Sequence, residues 1–327
     1  MKEILPGLYQ ITLTLAGFSP DSINVYLVRS QDGYMLVDTG WDTPEAVKSM
    51  DGQLAEAGID FKQIKRVFIT HGHVDHLGMA WRFKTSHNAE IYLHQNEIEL
   101  IKIRFKDRDN FIPMTDAFLL THGVPDSELV PPDFQIPAVP KLIEPDVLLK
   151  GGEVIPCGQY SFRVINTPGH TPGHISFYEP QSKFLISGDV LLPTIATNAA
   201  FHVQHVANPL KQYLNTLTTL RQLEIDLVLP AHQYVYSNPK PRIDELIEKQ
   251  RRRREDVLKL FQDGQTHTAY DISRILSWSP KTLTTRWPNL SSWDKRFAVL
   301  LTIAHLEELS GEGAVSRFSL DGKIYYR

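Results

Sequence analysis

The chain has 327 residues, enough for about two domains and a sizeable core. Hydrophobic residues make up 42% and charged residues 22%, with Gly and Pro scattered, which excludes a disordered or collagen-like chain. The net charge of −4 supplies no overall electrostatic drive toward nucleic acid or an anionic membrane, and the single cysteine, Cys157, excludes an internal disulfide scaffold and a cysteine-rich zinc module.

The N-terminal stretch is broken by Glu3, Pro6 and Gly7 and reads as no signal peptide; no window approaches 18 apolar residues. A cytoplasmic location without membrane contact is the expectation. Residues 8–15, 23–30 and 34–40 alternate as three strands, with the turn Gln31-Asp32-Gly33 between the last two. Thr43 and Pro44 open a helix that stops at Gly58. The β-branched run 65–71 predicts a short strand ending in histidines, followed by a helix over about 76–85, a strand over 89–95 and a helix over about 96–108.

Residues 110–140 carry six prolines and no sustained period, the pattern of a long, partly helical insertion and a candidate lid. Strand patterns return over 147–169, 175–180 and 183–192, with Cys157 placed in a loop before a strand. A helix near 209–224, the strand 226–232 and a helix over 239–263 follow. This order predicts an α/β (α+β) architecture, two sheets packed face to face and covered by helices on their outer sides. From residue 264 the pattern changes to helices over 267–276 and 293–309 and a hairpin turning at Asp321-Gly322, the outline of a small winged helix. The expected domains are therefore 1–263 and 264–327, the second winged-helix-like.

The most informative stretch is Thr70-His71-Gly72-His73-Val74-Asp75-His76, just after the strand VFIT. Four ligand-type residues within six positions cannot all meet one tetrahedral ion from a single short turn, but two adjacent ions can share them. Three more such residues stand at later strand ends: His170 in NTPGHTPGH, Asp189 in LISGDVLL and His232 in VLPAHQ. Any one of them alone is more often a surface or core residue. Their shared context at strand ends, where a rigid scaffold usually carries its chemistry, makes the group a candidate metal site.

With these residues in place the chain resembles the metallo-β-lactamase superfamily over about residues 4–263, through H-x-H-x-D-H followed by separate His, Asp and His. The resemblance implies an αββα sandwich. It also implies a first metal on His71, His73 and His170, a second on Asp75, His76 and His232, and Asp189 bridging them, with Asp75 and Asp189 as the catalytic carboxylates. Two divalent ions are implied, zinc first, with iron or manganese as alternatives, activating water toward an electrophilic carbon or phosphorus. Antibiotic-degrading members commonly carry Cys where Asp189 stands, which disfavours β-lactams. The stretches TPGHTPGHISFY and LISGDVL are similar to glyoxalase II-like thioester hydrolases, whereas a C-terminal winged helix is similar to the lactamase-β-like subgroup, which includes an RNA endonuclease.

The expected function is hydrolysis of a small acyl compound, thioester or ester. The alternatives are an RNA endonuclease or phosphodiesterase and, from another class, a module that binds nucleic acid or a partner. Nucleic acid is not the favoured partner, and a homo-oligomer is possible. His174 is a candidate for orienting a metal ligand, Asp38 for supporting the motif loop, and His202 and His205 for reaching substrate. The run Arg251–Arg254 lies beside Glu248, Glu255 and Asp256, where spacings of three and four predict ordinary helix ion pairs rather than a phosphate site.

Overall fold

The structure, a computed structural model, describes residues 1–15, 20–129, 141–202, 207–262, 264–278 and 285–327. Two compact units are present. The first comprises Met1–Lys106, Pro137–Pro193 and Gln222–Pro239; the second comprises Asp107–Ile136, Thr194–Arg221 and Lys240–Arg327.

The first unit holds two sheets. One has seven strands in sequence order, β1 (Lys2–Leu5), β2 (Leu8–Thr14), β3 (Ser22–Arg29), β4 (Tyr34–Val37), β5 (Ile64–Ile69), β6 (Glu90–His94) and β7 (Val147–Leu149). It is antiparallel through β4 and parallel from β4 to β7. The parallel crossovers carry helices: α1 (Pro44–Glu56), capped by the Thr43 hydroxyl, then α2 (Val74–Leu77) and α3 (Ala80–His87), then α4 (Glu97–Ile101) running into a π-helical turn, Lys102–Lys106. The second sheet has the order β13 (Tyr236–Ser237), β12 (Leu227–Pro230), β11 (Phe184–Gly188), β10 (Ile175–Glu179), β9 (Tyr160–Asn166) and β8 (Val154–Cys157).

Alternation along the strands sends side chains to both faces of the first sheet. Tyr26, Val28, Met35 and Phe68 meet Phe162, Phe177, Phe184 and Ile186 of the second sheet in one buried core. Val25, Leu27, Val67 and Ile69 face the other way, against Met50 and Leu54 of α1 and Phe83 of α3. Each such side chain contributes roughly 1.5–3 kcal/mol of transfer free energy, so this double core fixes where the strand ends stand.

In the second unit α5 (Arg108–Thr121), α6 (Pro209–Gln222), α7 (Lys240–Lys259), α8 (Ala269–Ile275) and α9 (Ser292–Gly311) accompany the hairpin β14 (Arg317–Leu320) and β15 (Lys323–Tyr326). Their core gathers Leu119, Val257, Ile272, Leu300, Ile303, Leu306 and Tyr326. Segment 194–221 is stitched to α9 by Phe201 N–H donating to Leu300 O (3.1 Å) and Asn208 Nδ2 donating to Ala304 O (2.8 Å). No helix among the described residues is long and apolar enough to cross a membrane.

Several sequence expectations are corrected in detail. The helix expected over 76–85 is two helices, because the His76 carbonyl accepts from the Thr39 N–H and hydroxyl, each at 2.8 Å, and is withdrawn from the helical ladder. The helix expected over 96–108 is interrupted by the π-helical turn and resumes as α5, which fills the first part of the expected insertion; residues 130–140 lie outside the described residues. Cys157 ends β8 and is buried between the sheets rather than in a loop. The strands β7 and β8, continuous in pattern, belong to different sheets.

Candidate metal centre

The loops after β5, β9, β11 and β12 bring all seven sequence-predicted residues together in the first unit. Donor atoms of His71, His73, His170 and Asp189 form one group, and those of Asp75, His76 and His232 form another; within each group they lie within 4.8 Å of one another. His73 presents Nδ1, 2.9 Å from His71 Nε2 and 3.0 Å from His170 Nε2. Asp189 faces both groups. Its Oδ2 lies 3.4 Å from His170 Nε2, 3.9 Å from His71 Nε2 and 3.6 Å from His76 Nε2, and its Oδ1 lies 3.4 Å from His232 Nε2. Asp75 Oδ2 completes the second group, 3.4 Å from His232 Nε2 and 3.7 Å from His76 Nε2.

These spacings fit metal ions. Two ligands each about 2.0–2.1 Å from a tetrahedral zinc stand roughly 3.3–3.4 Å apart, in the middle of the observed range. His76 Nε2 is buried and hydrogen-bonds to none of the described residues, so its lone pair or proton is aimed only at the Asp75 and Asp189 carboxylates, beyond hydrogen-bond reach. A buried imidazole nitrogen left this way is costly unless a cation completes it.

The electrostatics divide the histidines. Burial, then the imidazoles of His76, His73 and His170, hold His71 well below the usual histidine range. Burial, His170 and Arg104 do the same to His73. Both are therefore neutral, the form that can donate a lone pair. Burial opposes a charge on His76, yet Asp38, Asp75 and Asp189 together hold it well above the usual value. His232 is raised, against burial, by Asp189 and Asp75. Burial would raise the two carboxyls, but His76 and His232 lower Asp75, while His232, His76 and His170 lower Asp189 strongly.

Supporting contacts fix these rings. Asp38, buried and held at φ 61°, accepts from Thr70 N–H (2.8 Å) and the Thr70 hydroxyl, and its Oδ2 lies 2.8 Å from His76 Nδ1. It is the loop support expected from the sequence. His232 Nδ1 donates to Ser22 O (2.7 Å). His174 is no member of either donor group; its Nε2 accepts the Asp189 N–H (3.1 Å) and its Nδ1 pairs with the Thr167 hydroxyl (2.7 Å), so it orients the shared carboxylate through the backbone. Glu97 was not singled out by sequence reasoning: its buried carboxylate accepts from Gly72 N–H and Gly173 N–H, each at 2.6 Å. An acidic residue in the first turn of a helix reads as an ordinary cap, and only the tertiary partners reveal more.

Other sequence candidates are placed elsewhere. His202 is buried in the second unit with its ring 6.3 Å from that of Phe297, and His205 lies outside the described residues. The arginine run is absorbed internally: Arg251 and Arg252 pair with Glu248, Arg254 pairs with Glu312, and Arg253 is buried over the Trp278 ring and donates to Ser277 O. Cys157 supplies no thiolate to either donor group.

Residues 19–232 match the metallo-beta-lactamase superfamily, and the chain belongs to it. Its fold is that superfamily's mixed α/β fold, and the protein is a metallo-hydrolase of this class. It is 25% identical to a probable metallo-hydrolase of Bacillus subtilis, YqjP, over 95% of this chain and 94% of that protein. A solved metallo-beta-lactamase family protein of Thermus thermophilus superposes with a TM-score of 0.82 at 29% identity, covering 99% of this chain and 100% of that one. A hydroxyacylglutathione hydrolase of Haemophilus influenzae, GloC, is 30% identical over 39% of this chain and 50% of its own length.

Proposed function

We propose that the chain is a dinuclear metal-dependent hydrolase of a small acyl compound, a thioester or ester. The observation that carries this reading is the Asp189 carboxylate, whose two oxygens face two separate donor groups at 3.4–3.9 Å. His71, His73 and His170 would hold one ion, Asp75, His76 and His232 the other, and Asp189 both. A nitrogen- and carboxylate-rich set suits zinc first and iron or manganese next. When bound, such a pair supplies Lewis acidity and lowers the pKa of water toward neutrality.

The chain's own residues do the rest. Asp189 keeps the two groups in register, and His174 and the Asp189 N–H keep that carboxylate turned inward. Asp75 is the most exposed of its group, 20% at the side chain against 0% for His76 and 4% for His232. Its carboxylate is thereby positioned to orient an attacking water and accept its proton. The hydroxyacylglutathione hydrolases among the relatives support a thioester as the first substrate to try.

In this reading residues 1–263 carry the catalytic domain and residues 264–327 a winged-helix-like domain built from α8, α9 and the β14–β15 hairpin. The location is cytoplasmic and a homo-oligomer is compatible with it. A zinc-loaded sample assayed side by side on thioesters, lactones, β-lactams and single-stranded RNA tests the proposal. Acyl hydrolysis without β-lactam turnover is expected, and robust RNA cleavage without acyl hydrolysis would replace it with the phosphodiesterase reading.

A further inference from the structure

We infer that Glu97 is a positioning residue that locks the loops carrying His71, His73 and His170 into one preformed donor group, while Asp38 and Ser22 serve the other group. Glu97 opens α4, outside every segment that supplies a donor, and is fully buried. Its Oε2 accepts the N–H of Gly72, the residue between His71 and His73, and its Oε1 accepts the N–H of Gly173, three residues after His170. One carboxylate thus spans two loops that are far apart in sequence and meet at the donor group. Neither bond touches the Asp75, His76 or His232 side chains.

The glycines make the clamp possible. A Cβ on Gly72 would stand 2.9 Å from Glu97 Oε2 and 2.7 Å from Ile101 Cγ1. One on Gly173 would stand 2.8 Å from Glu97 N and 2.9 Å from its Cγ. Side chains at either position would push the loops off the carboxylate, so the short 2.6 Å bonds and the two bare Cα positions are one device. Both bonds are charge-assisted when the carboxyl is ionised, the class that is shortest and holds geometry best. Unlike a ring-to-carboxylate contact, the clamp sets loop position and not a tautomer, so it acts on all three histidines together.

Given the metal reading, on which this inference rests, Glu97→Gln keeps the size of the side chain but offers one acceptor oxygen where two are needed. The expected loss is roughly 10- to 100-fold in metal affinity at the His71–His73–His170 group, with the other group unchanged, the usual scale for groups that support a ligand. The measurement is zinc titration of protein labelled with 15N in its histidine rings, which reads each group by its own ring signals independently of turnover. Gly173→Ala, which presses on the same clamp from the loop side, provides the second variant and decides alone if Glu97→Gln does not fold. Selective weakening of the three-histidine group in either variant bears the inference out. Equal weakening of both groups, or no change in either with only a lower melting temperature, overturns it. A wild-type chain whose histidines ignore zinc defeats the metal reading itself, a result distinct from both.

Discussion

Replacing Asp38 by Asn removes one charge and leaves the shape of a buried side chain almost intact. Asp38 accepts the Thr70 N–H at 2.8 Å and the Thr70 hydroxyl at 2.9 Å, and holds His76 Nδ1 at 2.8 Å. For His76 to offer the Nε2 lone pair to a metal, its proton must stay on Nδ1, and that proton needs an acceptor. An Asn that turns its oxygen to Thr70 N–H presents an NH2 to His76 Nδ1, which forces the proton onto Nε2 and blocks the donor. Turned the other way, it sets an NH2 against the Thr70 N–H. Either arrangement forfeits one charge-assisted hydrogen bond, about 1.5–3 kcal/mol, which at about 1.4 kcal/mol per tenfold is roughly a 10- to 150-fold loss of affinity. The larger loss should fall on the Asp75–His76–His232 group, with His71 reached only indirectly, through the Thr70 hydroxyl 3.1 Å from its Nδ1. Competition with a chelator of known affinity, run as two resolved binding steps, measures it. An Asp38→Asn protein that binds two ions as tightly as wild type, or that loses the three-histidine group instead, would refute the tautomer argument.

Other outcomes follow from the same geometry. Asp189→Ala should weaken both groups and lower hydrolysis by orders of magnitude, as metal analysis and turnover of one sample will reveal. Because His76 is held well above the usual histidine pKa before metal arrives, zinc uptake near neutral pH should expel at least one proton from the protein; calorimetry in buffers of different ionisation enthalpy reads it, and uptake with no proton release would contradict the assignment. His305, fully buried in α9, is pushed down to about 3 by burial and then by Arg253 and Arg254. Its folded pKa lies below its unfolded 6.5, so the unfolded chain gains a proton first and stability should fall as pH drops from about 6.5 to about 3, by at most ~5 kcal/mol at linkage values. Urea melts at pH 7, 5 and 4 should show that slope in wild type and a flatter one in His305→Leu; identical slopes would remove His305 as the cause. Arg251→Ala with Arg252→Ala should leave retention on immobilised RNA the same as wild type at every salt concentration tested, since both arginines are already paired with Glu248.

The donor set was legible in the sequence because its densest part is contiguous and the remaining ligands stand at strand ends, where the pattern itself stops. Asp38 could be marked for the same reason, as a carboxylate at a strand end beside the motif loop. Glu97 could not, since what defines its role is two backbone amides, at Gly72 and Gly173, brought to it by the tertiary fold. The sheet to which a strand belongs is also a tertiary property: residues 147–149 and 154–157 share one period, yet the first pairs with β6 and the second with β9. Local competition explains the broken helices, as where Thr39 takes the His76 carbonyl that an unbroken helix would need.

The central claim is that two metal ions share Asp189, and counting metal against turnover tests it most directly. Purified wild-type chain, loaded with zinc and freed of excess, should carry two ions per chain and hydrolyse a thioester. Its activity should fall as chelation removes the second ion, and Asp189→Ala should lose both ions and turnover together. Full activity with one ion per chain, or an Asp189→Ala protein that keeps two ions and normal turnover, would contradict the account.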